Sequence, residues 1–229
     1  MPVNKLTVVI PTLNESAIIA DAVTSVRKVW PNAEVVVADG HSSDQTVELA
    51  EATGATTLKV SERSRGAQLN AGAGVSESEW ILFLHADTRL TDESIEAADA
   101  YMGRDDGQLA MFRIQFNEPT LMLRFSAWWT RFDSVFTRFG DQGILIRRSF
   151  YRDLNGFKTW PLFEDVDLVR RARARSGVDV LKASVVTSSR RFQRYGPMRQ
   201  QVHNSCLLIQ FLLGADPRRL ARSYPVMKD

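Results

Sequence analysis

The sequence predicts an α/β fold, a mostly parallel central sheet with helices on both faces, and three observations carry that reading. Short apolar runs at 6–10, 33–38 and 79–84 show no alternation of polar and apolar positions. A strand that is apolar on both sides is buried on both sides, which is the condition of a parallel sheet under two helical layers. Each run is followed by a polar turn and then by residues with helical periodicity, and this rhythm supplies the covering layers. The third observation is composition: 229 residues, 44% of them hydrophobic, with 29 Lys and Arg against 27 Asp and Glu. That is enough material for one sizeable core, and it excludes a disordered or collagen-like chain.

Taken in order, the first strand ends at Pro11 and leads into a helix from about residue 15 to 29. The second ends at Asp39-Gly40, where Ser42, Ser43 and Asp44 are placed to cap a helix running to Gly54. The unit repeats with a strand at 55–60, a helix over 64–75 and a strand over 79–84 that ends in His85-Ala86-Asp87. Beyond residue 105 the pattern changes to strands at 109–116 and 143–147, a helix over 164–176 stopped by Gly177, and helical patterns over 197–213 and 216–224. No repeat, low-complexity tract or linker appears, so 1–229 reads as one domain: a first half 1–105, a second part 106–196 and a helical tail 197–229.

Net charge conceals an asymmetry. Residues 1–146 hold 12 basic and 20 acidic side chains, whereas residues 147–229 hold 17 and 7. A basic second part suits nucleic acid, anionic lipid, a phosphorylated small molecule, or simply a solvated face. Nucleic acid leaves the acidic strand ends unexplained and is not an expected partner. The single Cys206 makes neither an internal disulfide nor a thiolate zinc site. No stretch reaches the ~18 consecutive apolar residues of a membrane span, and the first residues lack the features of a signal peptide. The expected location is the cytoplasm, with the inner face of the membrane as an extension of it.

In an open sheet, ligands bind beyond the carboxyl ends of the strands. Those ends carry Asn14-Glu15, Asp39 and Asp87. Any one of these is an ordinary turn former. Three together crowd negative charge that a cation or ligand must compensate. The first turn, Pro11-Thr12-Leu13-Asn14-Glu15, contains no glycine, so the dinucleotide fingerprint Gly-x-Gly-x-x-Gly is absent there.

Five strings, TVVIPTLNES (7–16), VVVADGHSSDQT (35–46), RGAQLNAG (65–72), LFLHADT (82–88) and FEDVDLVRR (163–171), resemble in order the motifs of family-2 glycosyltransferases with a GT-A fold. GDQG at 140–143 and an Arg-rich tail make the likeness greatest to a small bacterial subgroup with HAD, GDQG and ED motifs, some of whose members glycosylate lipid-like acceptors. The resemblance implies inverting transfer of a sugar from a nucleoside diphosphate donor, usually a UDP-sugar, to an acceptor hydroxyl or carboxylate. It makes 1–105 the nucleotide-binding half and 106–196 the acceptor half. By the same resemblance Pro11, Thr12, Glu15, Asp39 and Gly40 hold the donor's base and ribose, and Arg65 lies beside the nucleotide, its alternative being a surface arginine.

The resemblance also implies a divalent cation, Mn²⁺ or Mg²⁺, with Asp87 in the place of the metal-binding Asp of Asp-x-Asp. His85 stands where relatives have the first Asp. A neutral imidazole can donate a hydrogen bond or ligate Mn²⁺; the alternative is a histidine bonded to backbone. Asp165, with Glu164 beside it, takes the place of the general base, although both also suit the positive end of a helix whose far end carries Arg170, Arg171, Arg173 and Arg175. Arg191 or Arg194 in the tail would meet the diphosphate, or else stand as surface arginines. Two rival readings remain open at this point. A nucleotidyltransferase would show a glycine-rich basic loop after the first strand, and a non-catalytic sugar-nucleotide or membrane-binding module would keep the loops and lose the base.

Over 121–139, Phe125, Phe132 and Phe139 recur every seven residues beside Arg124, Arg131 and Arg138, with Trp128, Trp129 and Phe136 between them. The pattern predicts a basic amphipathic helix. Such a helix lies in a bilayer interface, walls an apolar acceptor pocket, or buries its rings against the sheet or a partner subunit. The run CLLIQFLL (206–213) adds a second apolar surface. Spacing alone decides neither among these nor the oligomeric state.

Overall fold

Alternate residues of the central strands feed two separate cores. Val8, Ile10, Val35, Val37, Leu82, Phe112 and Leu145 face one side, while Val9, Ile81, Phe83, Met111, Ile144 and Ile146 face the other. The structure, a computed structural model, describes residues 5–62 and 64–224. Its strands are β1 (Leu6–Thr12), β2 (Glu34–Asp39), β3 (Thr56–Lys59), β4 (Trp80–Phe83), β5 (Leu109–Phe116), β6 (Ile144–Arg147) and β7 (Asp179–Thr187). They form one seven-stranded sheet in the order β3-β2-β1-β4-β6-β5-β7. Only β6 runs against its neighbours, β4 and β5; every other pair is parallel. The carboxyl ends of six strands and the amino end of β6 therefore share one edge.

The first core is closed by α1 (Ile19–Val29), α2 (Thr46–Ala52) and α4 (Asp92–Met102), through Ile19, Val23, Val26, Ala50, Ala98 and Tyr101. The second is closed by α3 (Arg65–Val75), α6 (Arg148–Asp153) and α7 (Glu164–Arg175), through Leu69, Ala73, Phe150, Tyr151, Leu168 and Val169. Covering both faces keeps every strand residue of β4 out of water, at roughly 1.5–3 kcal/mol for each large apolar side chain. The tail forms α8 (Arg190–Tyr195), α9 (Pro197–Leu212) and α10 (Pro217–Ala221). Leu207, Leu208, Phe211 and Leu220 of the tail pack on Phe163 and Val166 at the start of α7.

The predicted α/β architecture matches the sheet. The helices α4, α6 and α8 and the strand β7 lie outside the sequence expectation, and α1 starts four residues later than periodicity suggests. The larger correction concerns 121–139. The helix α5 (Leu121–Trp129) ends early, where Thr130 turns its hydroxyl back to the carbonyl of Ala127 and accepts the Ile114 amide at 3.1 Å. Arg138 is not on an exposed basic face at all. It is fully buried, and its guanidinium donates to the carbonyls of Phe112, Thr130 and Phe132 and to Oε1 of Gln142. The aromatic residues, conversely, are not buried against the sheet: Phe125, Trp128, Trp129, Phe132 and Phe136 are 45–62% exposed.

Arg138 donates to the buried carbonyls of Phe112 and Thr130, so Arg138→Met is expected to take a donor from both, while the Phe132 carbonyl keeps the Thr137 hydroxyl. Each orphaned buried acceptor costs about 1–3 kcal/mol, and the variant should lose roughly 3 kcal/mol or more in urea unfolding. An unchanged midpoint would mean that the segment re-forms its contacts without the guanidinium.

Candidate active site

The loops after β1 and β2 are stitched together by side chains. Asn14 donates its amide to Ser42 Oγ at 2.8 Å, and its Oδ1 accepts the Ser43 amide at 2.8 Å. The amides of Glu15 and Ser16 reach Thr46 Oγ1 at 2.8 Å and Asp44 Oδ2 at 3.1 Å. Residues 13–18 are spent on this lacing and on turns that end on the Glu15 carbonyl, which is why α1 begins late. Asn14 and His41 both take positive φ, 54° and 67°. Asp39 is buried beneath the two loops, where Thr12 Oγ1 donates to it at 3.1 Å and the Ser42 amide at 2.8 Å. Gly40 donates its amide to the Thr12 carbonyl, and Pro11 lies one residue back on β1. Gln68 on α3, which lies within RGAQLNAG but carried no assigned role, donates to the carbonyls of Thr12 and Ala38 at 2.7 and 2.8 Å. It pins both strand ends.

The loop after β4 is fixed to the far side of the sheet. Arg89 and Val186 exchange two backbone hydrogen bonds, at 2.7 and 2.9 Å. Asp87 is thereby held at the edge with its carboxylate half-buried. Opposite it, the reversal of β6 brings in the turn 140–142. There the Gly140 amide donates to Asp165 Oδ2 at 2.5 Å, while Asp165 Oδ1 accepts the Val166 amide at 2.7 Å. A side chain at 140 would meet Asp165 Oδ2 at 3.1 Å and His85 Nε2 at 3.3 Å, so the glycine is what lets these two groups approach. Among the described residues the His85 ring makes no hydrogen bond, which overturns the reading of a backbone-bonded histidine. Burial, with Arg65 and then Arg191 nearby, drives its pKa down to about 3. The imidazole is neutral.

Glu164 is buried, with neither carboxylate oxygen hydrogen-bonded and Arg65 Nη1 at 3.7 Å as its counter-charge. Arg65 is placed by α3, whose first turn is capped by Ser64 Oγ. A side chain at Gly66 would strike the Lys158 carbonyl at 2.0 Å. Burial raises the pKa of Glu164, with Arg65 opposing. Asp167, by contrast, is partly buried and pairs with Arg171 at 2.8 Å.

Two further residues stand at this edge that sequence reasoning left without an assigned role. Asp141 has a shielded, unpartnered Oδ1, and burial, reinforced by Asp165 and Asp87, raises its pKa to about 7. Arg190 stands 3.4 Å from Glu15 and 3.7 Å from Asp87, positioned by Ser189, whose amide and hydroxyl both reach Asn117 Oδ1 at the end of β5. A carboxylate in GDQG was the available signal for the first; nothing distinguishes Arg190 from its arginine neighbours without the fold. Arg191 turns to Tyr224, hydrogen-bonding its hydroxyl and lying 4.8 Å from its ring centroid, while Arg194 is exposed.

A buried carboxyl whose pKa is raised binds more protons folded than unfolded, so its protonation supports the fold in acid, below the unfolded value near 4. That support fades as pH climbs through about 7. Asp141→Asn should therefore raise the thermal midpoint at pH 8 and flatten the decline in stability between pH 5 and 8. A variant no more stable than the parent at pH 8 would mean that Asp141 ionises at little cost.

Comparisons with known proteins agree with this geometry. The family model described as glycosyl transferase family 2 matches residues 7–155. Uncharacterised glycosyltransferases of Rickettsia prowazekii and Rickettsia felis are 34% and 35% identical over 89 residues, 39% of this chain. The matched segment spans only about a third of those relatives, 30% and 31% of their lengths. The fold is shared with a mannosyltransferase of Pyrobaculum calidifontis in complex with GDP-Man and Mn²⁺ (TM-score 0.65, 18% identity, 81% of this chain and 58% of that one). It is shared also with S. aureus TarS in complex with UDP (0.63, 20%, 93% and 66%). Glucosyl-3-phosphoglycerate synthase of Mycobacterium tuberculosis with Mn²⁺, UDP and glucosyl-3-phosphoglycerate is a third (0.62, 16%, 93% and 81%). With a model match over well more than half its length and a GT-A fold, the chain belongs to glycosyl transferase family 2.

Proposed function

We propose that this chain transfers a sugar, with inversion, from a nucleoside diphosphate sugar, a UDP-sugar first, to an acceptor hydroxyl. The observation that carries the reading is the placing of Asp165: a carboxylate aimed by two main-chain amides, on the same sheet edge as Asp87, Glu15 and Asp39. The solved relatives named above are complexes with GDP-Man, UDP and Mn²⁺, which supports the donor class.

The acceptor oxygen attacks the anomeric carbon, its proton passes to a carboxylate oxygen of Asp165, and the bond from that carbon to the diphosphate breaks, the electron pair leaving with the phosphate oxygen. A positioned base contributes typically ~10²- to 10⁴-fold. Thr12, Asp39 and Gly40, on the rigid floor fixed by Gln68, meet base and ribose, with Pro11 beside them. Arg65 and Arg190 line the path of the diphosphate, and Arg191 and Arg194 lie on the same helix as Arg190. Glu164 holds Arg65 in place from beneath.

The residues fit a divalent cation of the Mn²⁺ or Mg²⁺ type. Among the described residues no three His, Cys, Asp or Glu gather to hold a metal by themselves. Asp87, however, is a half-open carboxylate with Arg190 3.7 Å away, and the neutral His85 is two residues away. One or two protein ligands completed by phosphate oxygens is the usual arrangement for such ions. When bound, the cation neutralises charge that grows on the departing diphosphate.

Asp165→Asn should keep near-parent UDP affinity and folding while turnover falls ~10²-fold or more. Asp87→Ala should abolish the extra thermal stabilisation that Mn²⁺ adds to UDP, and Asp39→Ala should weaken UDP binding with or without metal. The measurements are thermal shift with nucleotide and metal and sugar release from the donor. Parent-like turnover in Asp165→Asn would remove the base from this mechanism, and undiminished UDP binding in both other variants would remove the donor site.

A further inference from the structure

Two neighbouring helices carry apolar side chains that the other described residues do not cover. On α5, Leu121, Phe125 and Trp128, with Phe132 just beyond its end, follow one another at spacings of four, three and four, and all are exposed. Edge-on ring contacts link Phe125 to Trp129, Trp129 to Trp128 and Trp128 to Phe132 at 5.9, 5.3 and 5.2 Å, so the rings form one continuous surface. α9 packs beside α5 and turns Gln200, Leu207, Leu208 and Phe211 inward. Its opposite side presents Met198, Val202, Cys206 and Ile209, followed by Leu213, at spacings of four, four, three and four. Between residues 200 and 215 there is no charged side chain.

We propose that this two-helix surface docks in the interface of an anionic phospholipid bilayer. The charge around it selects that occupant. Arg124 and Arg131 on the α5 side, Arg199 at the start of α9, and Arg218, Arg219 and Arg222 on and after α10 are all exposed. The acidic residues of the same segments are engaged elsewhere: Glu118 accepts from Gln193, Asp133 pairs with Arg173, and Asp216 caps α10. A second copy docked face to face through a twofold axis would set this arginine rim against itself. A bilayer offers phosphate to the arginines, a headgroup layer to the tryptophans and hydrocarbon to the leucines and phenylalanines. The 16 residues of α9 extend about 24 Å, short of the ~30 Å hydrocarbon core. Among the described residues no helix is long and apolar enough to cross a membrane, so the surface lies in the interface. The docking stands independently of sugar transfer.

The test is co-sedimentation of the full chain with phosphatidylcholine vesicles, with and without about a third phosphatidylglycerol. Binding is expected to the anionic vesicles at low salt and to weaken at high salt. Arg124→Glu with Arg131→Glu should lower partitioning by about 25-fold or more, about fivefold for each arginine. Phe125→Ser with Trp128→Ser, and separately Val202→Asp, should lower it as well. These side chains are exposed, so the unfolding midpoint should hold; the α9 variant tests the surface even if the α5 variant fails to fold. A chain that stays in the supernatant with anionic vesicles at low salt overturns the proposal. So does a stable dimer by light scattering that Phe125→Ser with Trp128→Ser converts to monomer, because the surface would then belong to a second copy.

Discussion

Six carboxylates, Glu15, Asp39, Asp87, Asp141, Glu164 and Asp165, are brought to one edge of one sheet, and their mutual repulsion is the constraint around which the site is built. Both carboxylate oxygens of Glu164 and one of Asp141 are shielded from water and without a hydrogen bond. Such an arrangement persists only where cations and fixed dipoles offset it. The chain supplies Arg65 against Glu164 and Arg190 against Glu15 and Asp87, while main-chain amides hold Asp165. The surrounding framework, from the Gln68 pins to the Arg89–Val186 bridge, keeps these groups from relaxing apart. Stability is given up at this edge and recovered in the two apolar cores on either side of the sheet.

The direction of β6 matters as much as any residue. A parallel strand at that place would have carried the preceding turn to the opposite end of the sheet. Because β6 is antiparallel to β4 and β5, its entry turn, with Gly140 and Asp141, faces the ends of β4 and β7. Residues distant in sequence, His85, Gly140 and Asp165, become neighbours through one reversed strand. Glycine at 140 then permits a closeness that any other residue would obstruct.

Much of this was legible beforehand. Uninterrupted apolar runs betrayed buried strands, and polar residues at their ends marked the edge where the carboxylates gather, since period and punctuation are local properties of the chain. The helix from Glu164 and the pairing of Asp167 with Arg171 one turn on follow from the same local rules. What local rules could not show were relations across the sheet. Arg138 looked like one of three equivalent arginines in a sevenfold repeat, yet carbonyls of β5 and of the loop after α5 enclose it. Arg190 and Arg191 are adjacent and chemically identical, and only the geometry of the α8 start sends one to Asp87 and the other to Tyr224. The aromatic spacing suited core, interface and pocket alike until the position of α5 left the rings outside.

Arg138 also joins two regions that would otherwise be mechanically separate. Its guanidinium grips the Thr130 and Phe132 carbonyls within the exposed aromatic segment and, at the same time, Gln142 in the turn that carries Asp141 and Gly140. A load applied to the aromatic segment is therefore shared by the turn that aims Asp165. Linkage of this kind is symmetric in its binding free energies: any ligand that shifts the aromatic segment and thereby changes nucleotide affinity must find its own affinity changed by nucleotide in the same proportion.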